Sequence, residues 1–370
     1  MLLVAEPILG PEEKAALSDV VDCGWITMGS RVRAFEEAFA QHHAAEDAVA
    51  VSSCTAALHL LLEALGIGPG DEVLVPSLTF VATVNCILYV GATPVFVDIE
   101  SVETPLMSIE DAIAKCTPRT RAAIIMHYAG YLAEPAQWRN FAEQHGLLLI
   151  EDAAHAVGVN GVGRLSDGAA FSFYGNKNMT TAEGGVVLAR SEEVLARVRQ
   201  MRGHGMTSGT FQRFGSGAAN YDVTMLGYNY RMDELRAAIG WTQLQHLASW
   251  NSKRRTLTDL YRRSLEQQCP TVLVPFTNNT ASSNHIMPVV LPKAVDRQSV
   301  VGKLRGMEIQ TTVHYPPTHQ FSFYRNRFPS VHLPLTEEFA ERELTLPLHP
   351  RMNAEHVEHV ASALARSIGS

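Results

Sequence analysis

The chain has 370 residues, long enough to bury a sizeable core and to divide into two units. A formal net charge of −8 without a basic stretch argues against general affinity for nucleic acid, and no apolar run reaches the roughly 20 residues of a membrane helix. The start MLLVAEPILGPEEK has no basic segment and no small-residue cleavage site, so no signal peptide and a cytoplasmic location are expected; five scattered cysteines without a CxxC pair suit reduced thiols better than disulfides or a zinc site.

The first amphipathic helix is predicted over VRAFEEAFA, with Val32, Phe35 and Phe39 on one face, followed by a short strand AVAVS at 48–52. Next, SCTAALHLLLEALG puts Leu58, Leu61, Leu62 and Leu65 on one helix face, with Gly66 as its stop. EVLVP (72–76), PVFVDI (94–99), AAIIMHY (122–128) and LLLIED (147–152) are short apolar runs separated by helical patterns such as AQWRNFAEQHG. Continuous apolar character means strands covered on both faces, hence an α/β fold with a mostly parallel sheet. From Arg231 to about Gln267 a helical pattern runs without proline. Beyond it, HIMPVVLP and IQTTVHY read as strands of a smaller α/β unit. The boundary is placed inside the long helix near Trp250, giving a large domain 1–250 and a small C-terminal domain 251–370.

Three segments carry chemistry. LLLIEDAAHAVG ends a buried strand in Asp152, at the sheet edge where open α/β folds bind ligands, with His155 three residues on; the plainer reading is a helix cap with a packed histidine. VSSCTAALHL turns from strand to helix through small residues, offering backbone N–H groups at Thr55, Ala56 and Ala57 to a phosphate. An ordinary cap by Ser53 or Thr55 explains the same residues. Lys177, one of six lysines, lies between the strand AFSFYG and the turn AEGG. A buried ammonium is costly, and its amine becomes useful as a Schiff base to an aldehyde; a solvated turn lysine is the alternative. Phosphate cradle, acid and amine together are the handles of pyridoxal 5'-phosphate (PLP).

These residues, with GWITMGSRVRAFEEAFA, GDEVLVPSLTFVAT, GATPVFVDI, GYNYRMDELRAAIG and HYPPTHQF, resemble the DegT/DnrJ/EryC1/StrS family of sugar aminotransferases over nearly the whole chain. The resemblance implies a fold-type I PLP enzyme that passes an amino group from L-glutamate to a nucleotide-linked keto sugar. It implies that Lys177 is the catalytic lysine bound to the cofactor and that Asp152 bonds the ring nitrogen. His155 would lie against the phenolic oxygen, Phe80 stack on the ring, and Thr55, Ala56 and Ser172 hold the phosphate. Asn229 would reach the phosphate of a neighbouring subunit, making a homodimer with shared active sites.

Cys54 stands where many relatives have glycine and His155 where many have glutamine; the histidine leans toward a UDP-4-keto-pentose, with 4-keto-6-deoxyhexoses beside it. Met28 replaces a frequent threonine in a sugar-facing loop. Arg231, His314, Tyr315 and His319 are weaker substrate candidates: the arginine could pair with Asp233 or Glu234, and HYPP could be a packed strand end. His356 and His359 do not argue for a metal, and the loop 208–222 is expected to order on substrate. A cyclitol aminotransferase and a non-catalytic PLP-binding sensor remain as alternatives. Lys177 counts against a related dehydratase, which carries histidine there, and the lack of GxGxxG against a nicotinamide dehydrogenase.

Overall fold

A computed structural model describes residues 1–209, 211, 213, 220–276 and 281–369; part of the loop 208–222 therefore lies outside the described residues. Helices α1 (Pro11–Cys23) and α2 (Ser30–His42) come first. Then β1 (Val49–Val51), α3 (Cys54–Ala64), β2 (Glu72–Pro76), α4 (Val81–Tyr89), β3 (Thr93–Val97), α5 (Ile109–Lys115), β4 (Thr120–Met126), α6 (Pro135–His145) and β5 (Leu148–Asp152) alternate strictly. Two strands, β6 (Gly168–Ser172) and β7 (Gly185–Leu188), and helix α7 (Glu192–Met201) complete this part.

The seven strands form one sheet in the order β1-β7-β6-β5-β4-β2-β3. Strands β2 to β6 pair in parallel, while β7 runs antiparallel to both β1 and β6. Both faces are covered, which is why the strands read as unbroken apolar runs. On one face Leu58, Leu61 and Leu62 of α3 are fully buried with Val49, Val73 and Val187. On the other, Phe35 and Phe39 of α2 meet Phe171 and Phe173 edge to face, at centroid distances of 5.0–5.5 Å.

Helix α8 (Glu234–Gln268) runs for 35 residues from an Asp233 cap that accepts the Arg236 N–H. Its first half gives Leu244 and Leu247 to the core around Phe35; its second half gives Leu257, Tyr261 and Leu265 to a separate core. That second core forms around β8 (Met287–Val290), α9 (Arg297–Gly306), β9 (Glu343–Leu346) and α12 (Ala354–Ile368), with α10 (Ser322–Arg327) and α11 (Pro334–Arg342) between. Glu234 also anchors α2, because its carboxylate accepts the N–H groups of Gly29, Arg31 and Val32 at 2.9 Å each.

Two elements differ from expectation. IQTTVHY is not a strand: Thr312 makes one isolated bridge to Thr345, and the His314 N–H is drawn to the Glu343 side chain, leaving β8 paired with β9 instead. Helix α1, which the periodicity did not suggest, starts at Gly10-Pro11, where Glu13 returns to accept the Gly10 N–H at 2.7 Å. The first residues also cross to the C-terminal part, through Leu2 N–H to Glu308 O at 2.7 Å and Leu348 N–H to Val4 O at 3.1 Å.

Candidate active site

The carboxyl edge of the sheet gathers the three predicted segments. Asp152 ends β5 and is buried; its Oδ1 accepts the Ala154 N–H at 3.0 Å and its Oδ2 accepts the Thr83 hydroxyl at 2.6 Å. Both donors are neutral, so the carboxylate has no cationic hydrogen-bond partner among the described residues. Thr83 lies 2.7 Å from Thr79 in turn, and both sit beside Phe80, the residue that opens α4. Phe80 is 55% exposed, with its ring 6.0 Å from that of Tyr315, so it presents a free face rather than filling the core.

Lys177 follows β6 in a turn closed by its own N–H to Tyr174 O at 2.9 Å. Its amine has no hydrogen bond or ion pair among the described residues; burial lowers its pKa to about 8, and nearby Asp152 and Cys54 only partly oppose the shift. His155, 2% exposed, faces Tyr315 Oη through Nε2 at 2.8 Å, while its Nδ1 is buried without a partner among the described residues. Burial, then Lys177 and His314, hold this imidazole well below its ordinary basicity, so it is neutral.

At the cradle, Ser53 caps α3 by accepting the Ala56 N–H at 3.1 Å. Ala56, expected as a phosphate donor, thus spends its N–H on the cap, whereas Cys54 and Thr55 precede the first intrahelical bond and keep theirs. Cys54 Sγ turns away to Ala170 O at 3.6 Å, and burial raises its thiol pKa, so it is inert. Ser172 Oγ, buried at the end of β6, accepts the Tyr174 N–H at 3.4 Å. The loop before α3 passes so close to β7 that a Cβ on Gly185 would lie 2.6 Å from Ser53 C. Gly185→Ala should therefore displace the start of α3. We expect a loss of about 1–3 kcal/mol in stability, together with weaker cofactor retention, read from thermal unfolding and from PLP titration.

Other candidates stand apart. Asn229 is exposed, accepts Arg231 Nε at 3.1 Å, and lines with Met28 and Arg231 a surface cavity of about 1080 Å³. Arg231 pairs with neither suggested acid, since Asp233 meets Arg236 and Glu234 caps α2. His319 has both ring nitrogens occupied, by Ser77 Oγ at 2.7 Å and Glu337 Oε1 at 3.1 Å, and so braces β2 against α11.

Sequence reasoning missed Thr83 and His285. Thr83 could have been found, because it lies one helical turn after Phe80 in TFVAT. His285 carried no local signal: its ring lies tilted against that of His155 at 4.3 Å, and it reaches Asn178 Oδ1 at 2.8 Å across more than a hundred residues. The Asn178 amide is already given to Asn251 Oδ1 and Ser283 O, so His285 must donate from Nδ1. The neighbour of Lys177 is thereby tied to α8 and to the segment before β8.

An aldehyde, a ring nitrogen, a phenolic oxygen and a phosphate need an amine, a carboxylate, a polar neighbour and N–H donors. Lys177, Asp152, the unpartnered His155 Nδ1 and the α3 start supply these in turn, so the residues fit PLP.

Residues 7–365 match the DegT/DnrJ/EryC1/StrS aminotransferase family. Among solved structures, the chain is similar to PseC of Helicobacter pylori, an aminotransferase involved in pseudoaminic acid biosynthesis, at 28% identity and TM-score 0.93, covering 100% of this chain and 99% of that one. It is also similar to the aminotransferase TlmJ of Streptoalloteichus hindustanus, at 32% identity, TM-score 0.91 and the same coverage. A third similar structure is NtdA of Bacillus subtilis with bound cofactor PMP, at 28% identity and TM-score 0.88, covering 97% and 82% of the two chains.

Proposed function

Because the chain belongs to the DegT/DnrJ/EryC1/StrS aminotransferase family, and so is a PLP-dependent sugar aminotransferase, we propose that it transfers an amino group from L-glutamate to a nucleotide-linked 4-keto sugar. The observation that carries this reading is the Lys177 amine, half-buried, unpaired among the described residues and near enough to the Asp152 carboxylate at the sheet edge to feel its charge.

PLP supplies an aldehyde that exchanges amines and a ring that accepts the electron pair left by a departing proton. Lys177 Nζ, once freed, takes that proton as a base and returns it as an acid; its lowered pKa lets both forms exist near neutrality. Asp152 keeps the ring nitrogen protonated, and His155 lies on the side of the phenolic oxygen. Thr55 and Ser172 hold the phosphate, and Phe80 covers the ring. His314 and Tyr315 line the sugar side. His155 supports the lean toward a UDP-4-keto-pentose, with 4-keto-6-deoxyhexoses next.

A homodimer with shared sites is part of the proposal. It is supported by Tyr174 and Leu226, which are 52% and 80% exposed, and by Asn229, which is exposed and lines a surface cavity that Lys177 does not line. Sedimentation at micromolar concentration tests it, and a monomer with full activity would refute it.

Incubation with glutamate and a panel of UDP-, dTDP- and GDP-linked 4-keto sugars, with products weighed by mass spectrometry, decides the substrate. We expect one nucleotide-linked amino sugar and an equal amount of 2-oxoglutarate. Amination of inosose-type ketones alone would replace the sugar reading by a cyclitol one.

A further inference from the structure

Behind His314 lies a chain of hydrogen bonds that the mechanism above does not use. Strand β9 carries Glu343 and Thr345 two residues apart, hence on one face, and both are buried. Thr345 Oγ1 donates to Glu343 Oε1 at 2.5 Å, His314 Nδ1 lies 2.9 Å from Thr345 Oγ1, and the His314 N–H donates to Glu343 Oε2 at 2.9 Å. Tyr128 Oη donates to the His314 carbonyl. Tyr128 is itself held by the turn after β4, where buried His127 Nε2 meets Glu151 at 2.7 Å. The imidazole is thus fixed from its backbone and from Nδ1, while Nε2 has no partner among the described residues. Its ring stands 6.1 Å from that of His155 and close enough to Lys177 to feel its charge.

A hydroxyl has one hydrogen to give, which lends the chain a direction. With Glu343 ionised, Thr345 donates to the carboxylate and can only accept from His314, so His314 carries its hydrogen on Nδ1 and a lone pair on Nε2. With Glu343 protonated every bond reverses: the carboxyl donates to Thr345, Thr345 donates to Nδ1, and Nε2 bears the hydrogen.

We infer that Glu343, Thr345 and His314 form a proton wire whose outer end, His314 Nε2, exchanges a proton with the substrate's carbonyl oxygen and whose inner end, Glu343, stores it. The inference rests on the aminotransferase reading of the Lys177 site. When a ketone exchanges its oxygen for nitrogen, the carbon–oxygen bonds break and the oxygen leaves as water with two hydrogens. One comes from the attacking nitrogen and the other from Nε2; Nδ1 then recovers a hydrogen from Thr345, and Thr345 from Glu343. The hydrolysis that frees the keto acid in the donor half consumes a water and releases one proton, which returns by the same route. A full cycle leaves the wire as it began.

The electrostatics suit this role. Burial pushes the Glu343 carboxyl up to about 8, against the Thr345 hydroxyl, the His314 N–H and Arg297. Arg297 on α9 donates to the Glu343 backbone oxygen at 3.0 Å, and the phenols of Tyr128 and Tyr315 face the same carboxylate. His314 is held down at about 3 by burial first and Lys177 second. It therefore stays neutral and changes tautomer rather than charge.

The test uses holoenzyme labelled with nitrogen-15 histidine, with His314→Gln to assign the signal. As the pH rises through about 8, His314 should pass from the Nε2–H to the Nδ1–H tautomer. Glu343→Gln and Thr345→Val should abolish the change, and Thr345→Ser should keep it. Followed by cofactor absorbance, the half-reaction with L-glutamate should slow at least about tenfold in Thr345→Val and keep its rate in Thr345→Ser. A single tautomer throughout this range in the wild type, or a Thr345→Val half-reaction as fast as wild type, overturns the wire. Neither measurement needs a keto sugar, so a failed substrate panel and a failed wire are told apart.

Discussion

Lys177→Ala is expected to abolish amino transfer, with turnover falling by at least about 10⁴-fold while the fold is retained. The amine is the group within this site that can both bond an aldehyde and shuttle a proton, and removing a half-buried amine leaves no partner unsatisfied, because it has none among the described residues. With a pKa of about 8, about a tenth of the amine is unprotonated at pH 7, against roughly one part in a few thousand for an ordinary lysine. Burial favours the neutral form, so the sign is fixed: the rate at which cofactor-free protein takes up PLP covalently rises with pH and levels off above about 8. Borohydride treatment, digestion and mass measurement should place the cofactor's mass on the peptide containing residue 177. Wild-type turnover in the alanine variant would end the proposal.

Asp152→Asn is expected to cost about 10²–10⁴-fold in kcat while changing stability by no more than about 1 kcal/mol. The contrast follows from the hydrogen bonds. An asparagine amide can still accept the Ala154 N–H through its oxygen, and its NH2 can donate to Thr83 once that hydroxyl turns to Thr79, 2.7 Å away. The scaffold absorbs the change by rotating two hydroxyls: while Thr83 donates to Asp152, Thr79 donates to Thr83, and Thr79 must turn its hydrogen elsewhere once Thr83 turns back. What is lost is the negative charge that, on the proposed reading, would hold a proton on the ring nitrogen. Denaturant unfolding beside steady-state kinetics separates the two effects; an active, unfolding-neutral variant would remove Asp152 from its role.

The parallel part of the fold was legible because each strand is a short apolar run closed by turn residues, and because both faces of β2, β4 and β5 are covered. Asp152 was legible as a charged side chain at the end of a buried strand, and Lys177 as one of six lysines, set in a turn after an aromatic strand. The small sheet was not: it has two strands, and β9 follows directly on α11, so ELTL reads as a continuation of the helical pattern before it. IQTTVHY has strand composition, yet it makes only isolated bridges at Ile309 and Thr312 and gives the His314 N–H to a carboxylate, which no local pattern announces. His285 reaches Asn178, and Thr345 and Glu343 reach His314, only through contacts between distant segments. The Ala56 N–H illustrates a finer limit, because Ser53 was foreseen as a cap without a means of knowing which N–H it would claim.

Helix α8 has a consequence for anyone who would rebuild this enzyme. It is a single rod of 35 residues, about 52 Å long, and its two ends are set in different cores. A chimera that swaps the C-terminal unit must splice inside that rod, and the splice must keep helical phase. One added residue turns everything downstream by about 100°, swinging Arg254, which donates to the carbonyls of His285 and Leu348, out of its socket. Exchange between relatives is therefore confined to junctions that conserve residue count along the rod, whatever the similarity of the pieces being joined.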